Sequence, residues 1–136
     1  EQGRVALEDL DCTFLCADVR EVELPPSDVI ACMDVLHYLP ADQQDEVVVA
    51  MVGALRPGGT LMMRDGVSDQ GLRSTITAWS ERVAMALGRH RGDGLFFRPG
   101  GELERSMTAA GLTLESKPCS EGTPFANHLL VGRKPA

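Results

Sequence analysis

Residues 28–64 alternate two strand-length apolar runs with a helical pattern, and that alternation restricts the chain to a layered α/β architecture. Residues 28–33 are almost continuously apolar after Asp28, as in a strand covered on both faces of a parallel sheet. Over 42–55 the period changes. Val47, Met51 and Leu55 fall on one helical face, joined by Val48 and Val52. Asp42 suits the N-cap, and Asp45 and Glu46 suit the positive end of the helix dipole. Pro57-Gly58-Gly59 then stops the helix and turns the chain into a second strand over 60–64.

The flanks extend the pattern. Residues 13–17 are a short apolar run read as a buried strand, with Asp18 at its end and Pro25-Pro26 in the connection that follows. Residues 69–87 read as a longer helix whose stripe of Leu72, Ile76, Trp79, Val83 and Leu87 is expected to be core. Gly88 and Gly92-Asp93-Gly94 break it. A shorter helix follows over 101–110, ended by Gly111. Strands over 112–117 and 126–132 are joined through Gly122 and Pro124, and that joint predicts an antiparallel hairpin. The expected fold is α/β, one domain over 1–136, with a mostly parallel sheet and an antiparallel C-terminal hairpin.

The chain has 136 residues and is 43% hydrophobic, enough for one core and against disorder. Its formal net charge of -7 disfavours a nucleic-acid backbone or an anionic membrane surface as partner. Arg82, Arg89, His90 and Arg91 form one small basic cluster, read as a solvated helix end. No apolar run is long enough to span a bilayer, no signal peptide opens the sequence, and a cytoplasmic location is expected. Cys12, Cys16, Cys32 and Cys119 show neither a CxxC pair nor a histidine at zinc-finger spacing, so structural thiols are expected and no metal site.

Three segments together resemble the class I S-adenosylmethionine-dependent methyltransferases. They are Asp34-Val35-Leu36-His37-Tyr38-Leu39 after a strand, Leu55-Arg56-Pro57-Gly58-Gly59 before one, and a helix ending in Ala109-Ala110-Gly111 ahead of the hairpin. The resemblance implies a Rossmann-like sheet in the spatial order 3-2-1-4-5-7-6. Residues 13–17 would then be strand 3, 28–33 strand 4, 60–64 strand 5, and the hairpin strands 6 and 7. Strand 1, its glycine-rich turn and the strand 2 carboxylate have no counterpart, and Gly3 alone does not replace them. The sheet is therefore expected to be truncated, leaving an apolar edge at strand 4. A longer parent protein, direct pairing of strand 3 with strand 4, or a homodimer through that edge would each resolve it.

The resemblance implies S-adenosylmethionine as cofactor and a small-molecule methyl acceptor, with a bacterial enzyme as the parent. Asp18 and Val19 would contact the adenine, and Met33 and Asp34 the methionine part of the cofactor. Asp34 reads equally as a cap for the turn at 35–38. His37 is the candidate catalytic base. Tyr38, Arg64 and Arg98 are candidate acceptor contacts, with Asp65, Trp79 and His90 flanking the same region. His128 reads as structural. The other class of function is a truncated, non-catalytic module that acts through protein association. A nucleotide-dependent oxidoreductase is a more distant reading.

Overall fold

The computed structural model describes residues 10–86, 94–119 and 121–136, without the side chain of Met85. Arg89, His90, Arg91, Leu87, Gly88, Gly92 and Asp93 lie outside the described residues, as does Gly3. Four strands form one sheet: β1 (Ser27–Met33), β2 (Leu55–Gly66), β3 (Thr113–Pro118) and β4 (Asn127–Arg133), in the order β1-β2-β4-β3. Strands β1 and β2 are parallel, with Val29 opposite Thr60 and Met33 opposite Arg64. Strand β4 runs antiparallel to both neighbours, pairing Met62 with Val131 on one side and Leu114 with Gly132 on the other. The order and directions are those expected for strands 4-5-7-6.

Helix α1 (Ala41–Ala54) connects the parallel pair, and α3 (Gly100–Ala109) precedes the hairpin. Their inward residues Val47, Val48, Met51, Val52, Leu103 and Met107 pack on Cys32, Leu61, Met63 and Leu130 from the sheet. The helical face read over 42–55 is therefore core. Its start differs from the expectation: Pro40 is the N-cap, without a side-chain cap, and Asp42 lies inside the first turn. The ring of Pro40 fixes φ, here −54°, at the entry to the helix. At the other end Lys134 Nζ donates to the carbonyls of Val52 (2.8 Å) and Leu55 (2.7 Å), which ties the last turn to the C-terminal segment.

The Arg56-Pro57-Gly58-Gly59 insertion bulges between the Ser27–Leu55 and Val29–Thr60 pairs. Gly58 adopts φ 77°, and a Cβ on Gly59 would sit 2.8 Å from the Arg56 carbonyl oxygen. Both positions thus require glycine, which explains the motif in physical terms.

Two sequence expectations fail. Residues 13–17 form no strand, and Phe14 and Leu15 are exposed. A strand needs a partner for its backbone groups, and the described residues offer none beside 13–17. Direct pairing of that run with β1 is therefore excluded, and β1 has no neighbour on its outer edge among the described strands. Helix α2 (Leu72–Ala86) is present, but its apolar stripe points outward. Leu72, Ile76, Trp79 and Val83 are exposed, whereas Thr77 is buried against the sheet end. Among the described residues no helix is long and apolar enough to cross a membrane.

Candidate functional site

The two parallel strands end side by side, and the chain leaves both at the same edge. In open α/β sheets that edge is where ligands sit. Met33 is the last residue of β1, and Asp34 follows in the left-handed region at φ 57°. Aspartate tolerates that region better than most residues because of its short polar side chain. The Asp34 N–H donates to Arg64 O (2.8 Å). Its carboxylate receives Nε of Arg64 at 3.2 Å and a second, short contact from the same guanidinium. Hydrogen bonding and the Asp34 charge raise the pKa of Arg64. Asp34 does not cap the 3-10 turn Leu36–Tyr38, whose N-cap Val35 makes no side-chain cap bond.

That turn delivers His37 and Tyr38. His37 is 4% exposed and Asp65, at the end of β2, is 5% exposed, so the pair is shielded from water. The His37 ring Nδ1 donates to Asp65 Oδ1, and the His37 backbone N–H donates to Asp65 Oδ2 at 3.0 Å. A carboxylate acceptor at Nδ1 fixes the neutral ring as the Nδ1–H tautomer, leaving the lone pair on Nε2. His37 Nε2 is buried with no hydrogen-bond partner among the described residues. Phe97 stacks on the ring at a centroid distance of 4.8 Å. Gly66 makes room for it, since a Cβ there would lie 2.6 Å from Phe97 Cε1.

Tyr38 OH donates to Glu81 Oε2 on α2 at 2.6 Å. Burial, then the hydrogen bond to Glu81 and the nearby carboxylates, raises the phenol's pKa above its ordinary value. The adjacent Cys32 thiol is pushed up to about 12, chiefly by burial and then by the charges of Asp65 and Asp34, so it is inert as a nucleophile. Asp34, His37, Tyr38 and Arg64 line one cleft of about 430 Å³, closed on its far side by Thr77, Glu81, Phe97 and Phe125. Grooves of about 380 Å³ between α1 and α3, and of about 410 Å³ beside β3 and β4, lie away from this edge.

The remaining sequence candidates fall elsewhere. Asp18 is held by Arg20, through its side chain and backbone, and those bonds bring its carboxyl down to about 2. Arg20 also reaches Gln43 of α1 at 3.1 Å. Val19 packs against the core cluster, and Met33 is 39% exposed. None of these three lines the cleft. Arg98 is turned into the α1–α3 seam, where it donates to Asp45 (2.6 Å), Glu102 (3.2 Å) and Ser106 (3.3 Å). It joins two helices and leaves its guanidinium no free fork for an acceptor. Trp79 faces out. His128, in β4, is partly buried, and its Nδ1, without a hydrogen-bond partner among the described residues, lies beside Gly100. Glu81, Phe97 and Phe125 were not legible as site residues, because each joins the cleft from an element whose placement depends on the tertiary fold.

A family model described as a methyltransferase domain matches residues 1–63. No curated protein matches the sequence. Among solved structures, an O-methyltransferase family protein from Burkholderia thailandensis superposes with a TM-score of 0.68 at 21% identity, over 88% of this chain and 33% of its own. The N-methyltransferase NodS from Bradyrhizobium japonicum, in complex with S-adenosyl-L-homocysteine, gives 0.62 at 21% identity, over 88% and 53%. An O-methyltransferase family 2 protein from Planctomyces limnophilus, in complex with apigenin, gives 0.62 at 21% identity, over 87% and 34%. This chain thus spans from a third to about half of these neighbours' lengths. The family model covers residues 1–63, and the fold over most of the chain is similar to that of these methyltransferases.

The residues assigned to the cofactor by resemblance do not by themselves enclose one. Asp18 has its carboxylate on Arg20, Val19 is packed inward, and the Asp34 carboxylate is taken by Arg64.

Proposed function

We propose that this chain forms the acceptor side of an S-adenosylmethionine-dependent methyl transfer to a small molecule. The observation that carries this reading is the His37–Asp65 pair at the carboxyl ends of the two parallel strands. Asp65 holds the ring so that Nε2 has the lone pair, and a buried acceptor atom without a partner among the described residues calls for a donor. An acceptor hydroxyl or amine would supply it, and His37 would take its proton as general base. Tyr38 and Arg64 would orient the acceptor, with Phe97 and Phe125 as apolar walls. Asp34, Met33, Asp18 and Val19 would border the cofactor, whose part is to bring an activated methyl group. The small-molecule acceptor is supported by the cleft's size and by the apigenin held by the Planctomyces neighbour.

A second reading has its own support. Strand β1 has an outer edge with no neighbour among the described strands, and Val29 and Met33 beside it are exposed. That favours a non-catalytic module acting through association, with a homodimer across the β1 edge as its simplest form. Isothermal titration with S-adenosylhomocysteine, on a full-length version that also carries the strand and glycine-rich turn of the cofactor site, separates the two. Saturable heat, together with homocysteine-nucleoside release in the presence of S-adenosylmethionine and a panel of phenols and amines that His37→Ala abolishes, supports the enzyme reading. No heat up to about millimolar ligand (a binding free energy weaker than about 4 kcal/mol), with the chain shown folded by circular dichroism, defeats it and leaves the association reading.

A further inference from the structure

Helix α2 is amphipathic in the reverse sense of a surface helix. It sets Ser74, Thr77, Ala78, Ser80 and Ala84 toward the body of the protein and turns its large apolar side chains away from it. Thr77 Oγ1 accepts from the Ala126 N–H at 2.9 Å in a buried bond, and Ser74 Oγ donates to Val67 O at 2.7 Å in a half-buried one, so polar contacts fix this orientation. The outward residues are 83% (Leu72), 42% (Ile76), 66% (Trp79) and 38% (Val83) exposed. Together these four expose on the order of 400 Å² of largely apolar surface, if a tryptophan is taken at roughly 250 Å² and the aliphatics at somewhat less.

We propose that this stripe is a self-association surface, and that a second copy of the chain covers it by packing its own α2 antiparallel across a two-fold axis. Three observations select a second copy. First, the steps along the stripe, from 72 to 76, 79 and 83, read the same from either end of the helix. A two-fold axis between Ile76 and Trp79 therefore sets Leu72 of one copy against Val83 of the other, and Ile76 against Trp79. The same steps are those of an a/d seam, which suits a shallow crossing of two helices. Second, the charge pattern permits it in a chain of net charge -7. Glu81 is the helix's one acidic residue, and it is turned inward to Tyr38. The exposed positions flanking the seam are Arg73, Thr75 and Arg82. In an antiparallel pair Arg82 of one copy faces Thr75 of the other, not another arginine. Third, the area matches: a standard interface takes about 800 Å² from each partner, somewhat over half of it apolar.

The surface is separate from the β1 edge and from the cleft, so its test is separate from that of methyl transfer. Trp79 is the only tryptophan, which makes it a reporter placed in the proposed contact. Sedimentation velocity and Trp79 emission are followed over about 1–200 μM, the range of a micromolar dimer. The expected result is a monomer–dimer transition with a blue shift of emission at the same midpoint. Ile76→Glu should weaken the dimer about 100-fold or more while helix content stays unchanged, because Ile76 contacts solvent in the single chain. A monomer throughout the range overturns the proposal. So does a dimer whose formation leaves Trp79 emission unmoved, or one that persists in a folded Ile76→Glu chain, which would assign the contact to the β1 edge. The wild-type emission shift decides the matter without any variant, should Ile76→Glu fail to fold.

Discussion

Asp65 holds His37 at two points, taking the ring Nδ1–H on one carboxylate oxygen and the backbone N–H on the other at 3.0 Å. One side chain therefore sets both the position of the turn and the tautomer of the imidazole. Asp65 Oδ1 also accepts the Gly66 N–H at 2.8 Å, which seats the carboxylate on the end of β2. Asp65→Asn offers an amide where the ring needs an acceptor. The expected outcome is a switch of His37 toward the Nε2–H tautomer, seen in long-range proton–nitrogen correlation spectra, with a loss of about 2–4 kcal/mol in urea denaturation. An unchanged tautomer in a folded variant would show that Asp65 does not orient the ring.

Tyr38 is the chain's only tyrosine, so its ionisation is directly visible in ultraviolet difference absorbance. Burial and the bond to Glu81 raise its pKa, so the folded phenol keeps its proton above the ordinary value of about 10. The sign follows from that direction. The proton is held more tightly in the folded state, and the associated stability is complete below the unfolded pKa and is lost as pH rises through the folded one. Glu81→Gln should bring the titration back toward the ordinary value. A wild-type midpoint at about 10 would contradict the contact.

The sheet and α1 were legible because their signals are local. Uninterrupted apolar strands, a one-faced helix and a glycine turn each act within a few residues, and the strand order followed from the resemblance. Residues 13–17 were misread because an apolar run becomes a strand only where another strand accepts its hydrogen bonds. The stripe on α2 was misassigned for a related reason. Periodicity shows that a helix has an apolar face but not which way that face points. Thr77, anchoring the opposite side through the Ala126 N–H, decides it. In the site, His37, Tyr38, Asp34 and Arg64 were legible from their place at strand ends. Glu81, Phe97 and Phe125 come from later elements and meet them only through folding. Arg98 was read toward the cleft, and its pairing with Asp45, far away in sequence, carries it into the helix seam.

Asp34 combines a left-handed backbone with a two-point pairing to Arg64, and substitutions separate the two effects. Asp34→Asn keeps a residue that tolerates φ 57° and loses only the charge pair. Both partners are more than a third exposed, so solvent screening limits that loss to about 1 kcal/mol or less. Asp34→Val loses the pair and adds backbone strain for a β-branched residue, for a total of about 2–3 kcal/mol. Equal urea midpoints for the two variants would mean that the backbone conformation at Asp34 is unstrained.

The seam between α1 and α3 should weaken in acid through Asp45. Burial acts to raise its pKa, but the hydrogen bonds from Ser106 and Arg98 outweigh burial and leave it lowered. A lowered folded pKa means that the contribution is present above the unfolded value of about 4 and is lost as pH falls through the folded one. Arg98, whose side chain is 15% exposed, keeps Glu102 as a second partner when Asp45 is removed. The Asp45 side chain is 48% exposed, so solvent screening limits the cost of Asp45→Asn to about 1 kcal/mol or less near pH 7. That difference from wild type should shrink as pH drops below about 4 and vanish once Asp45 is protonated in the folded chain as well. A destabilisation that stays constant across that range would place the effect of the substitution in packing and not in the charge of Asp45.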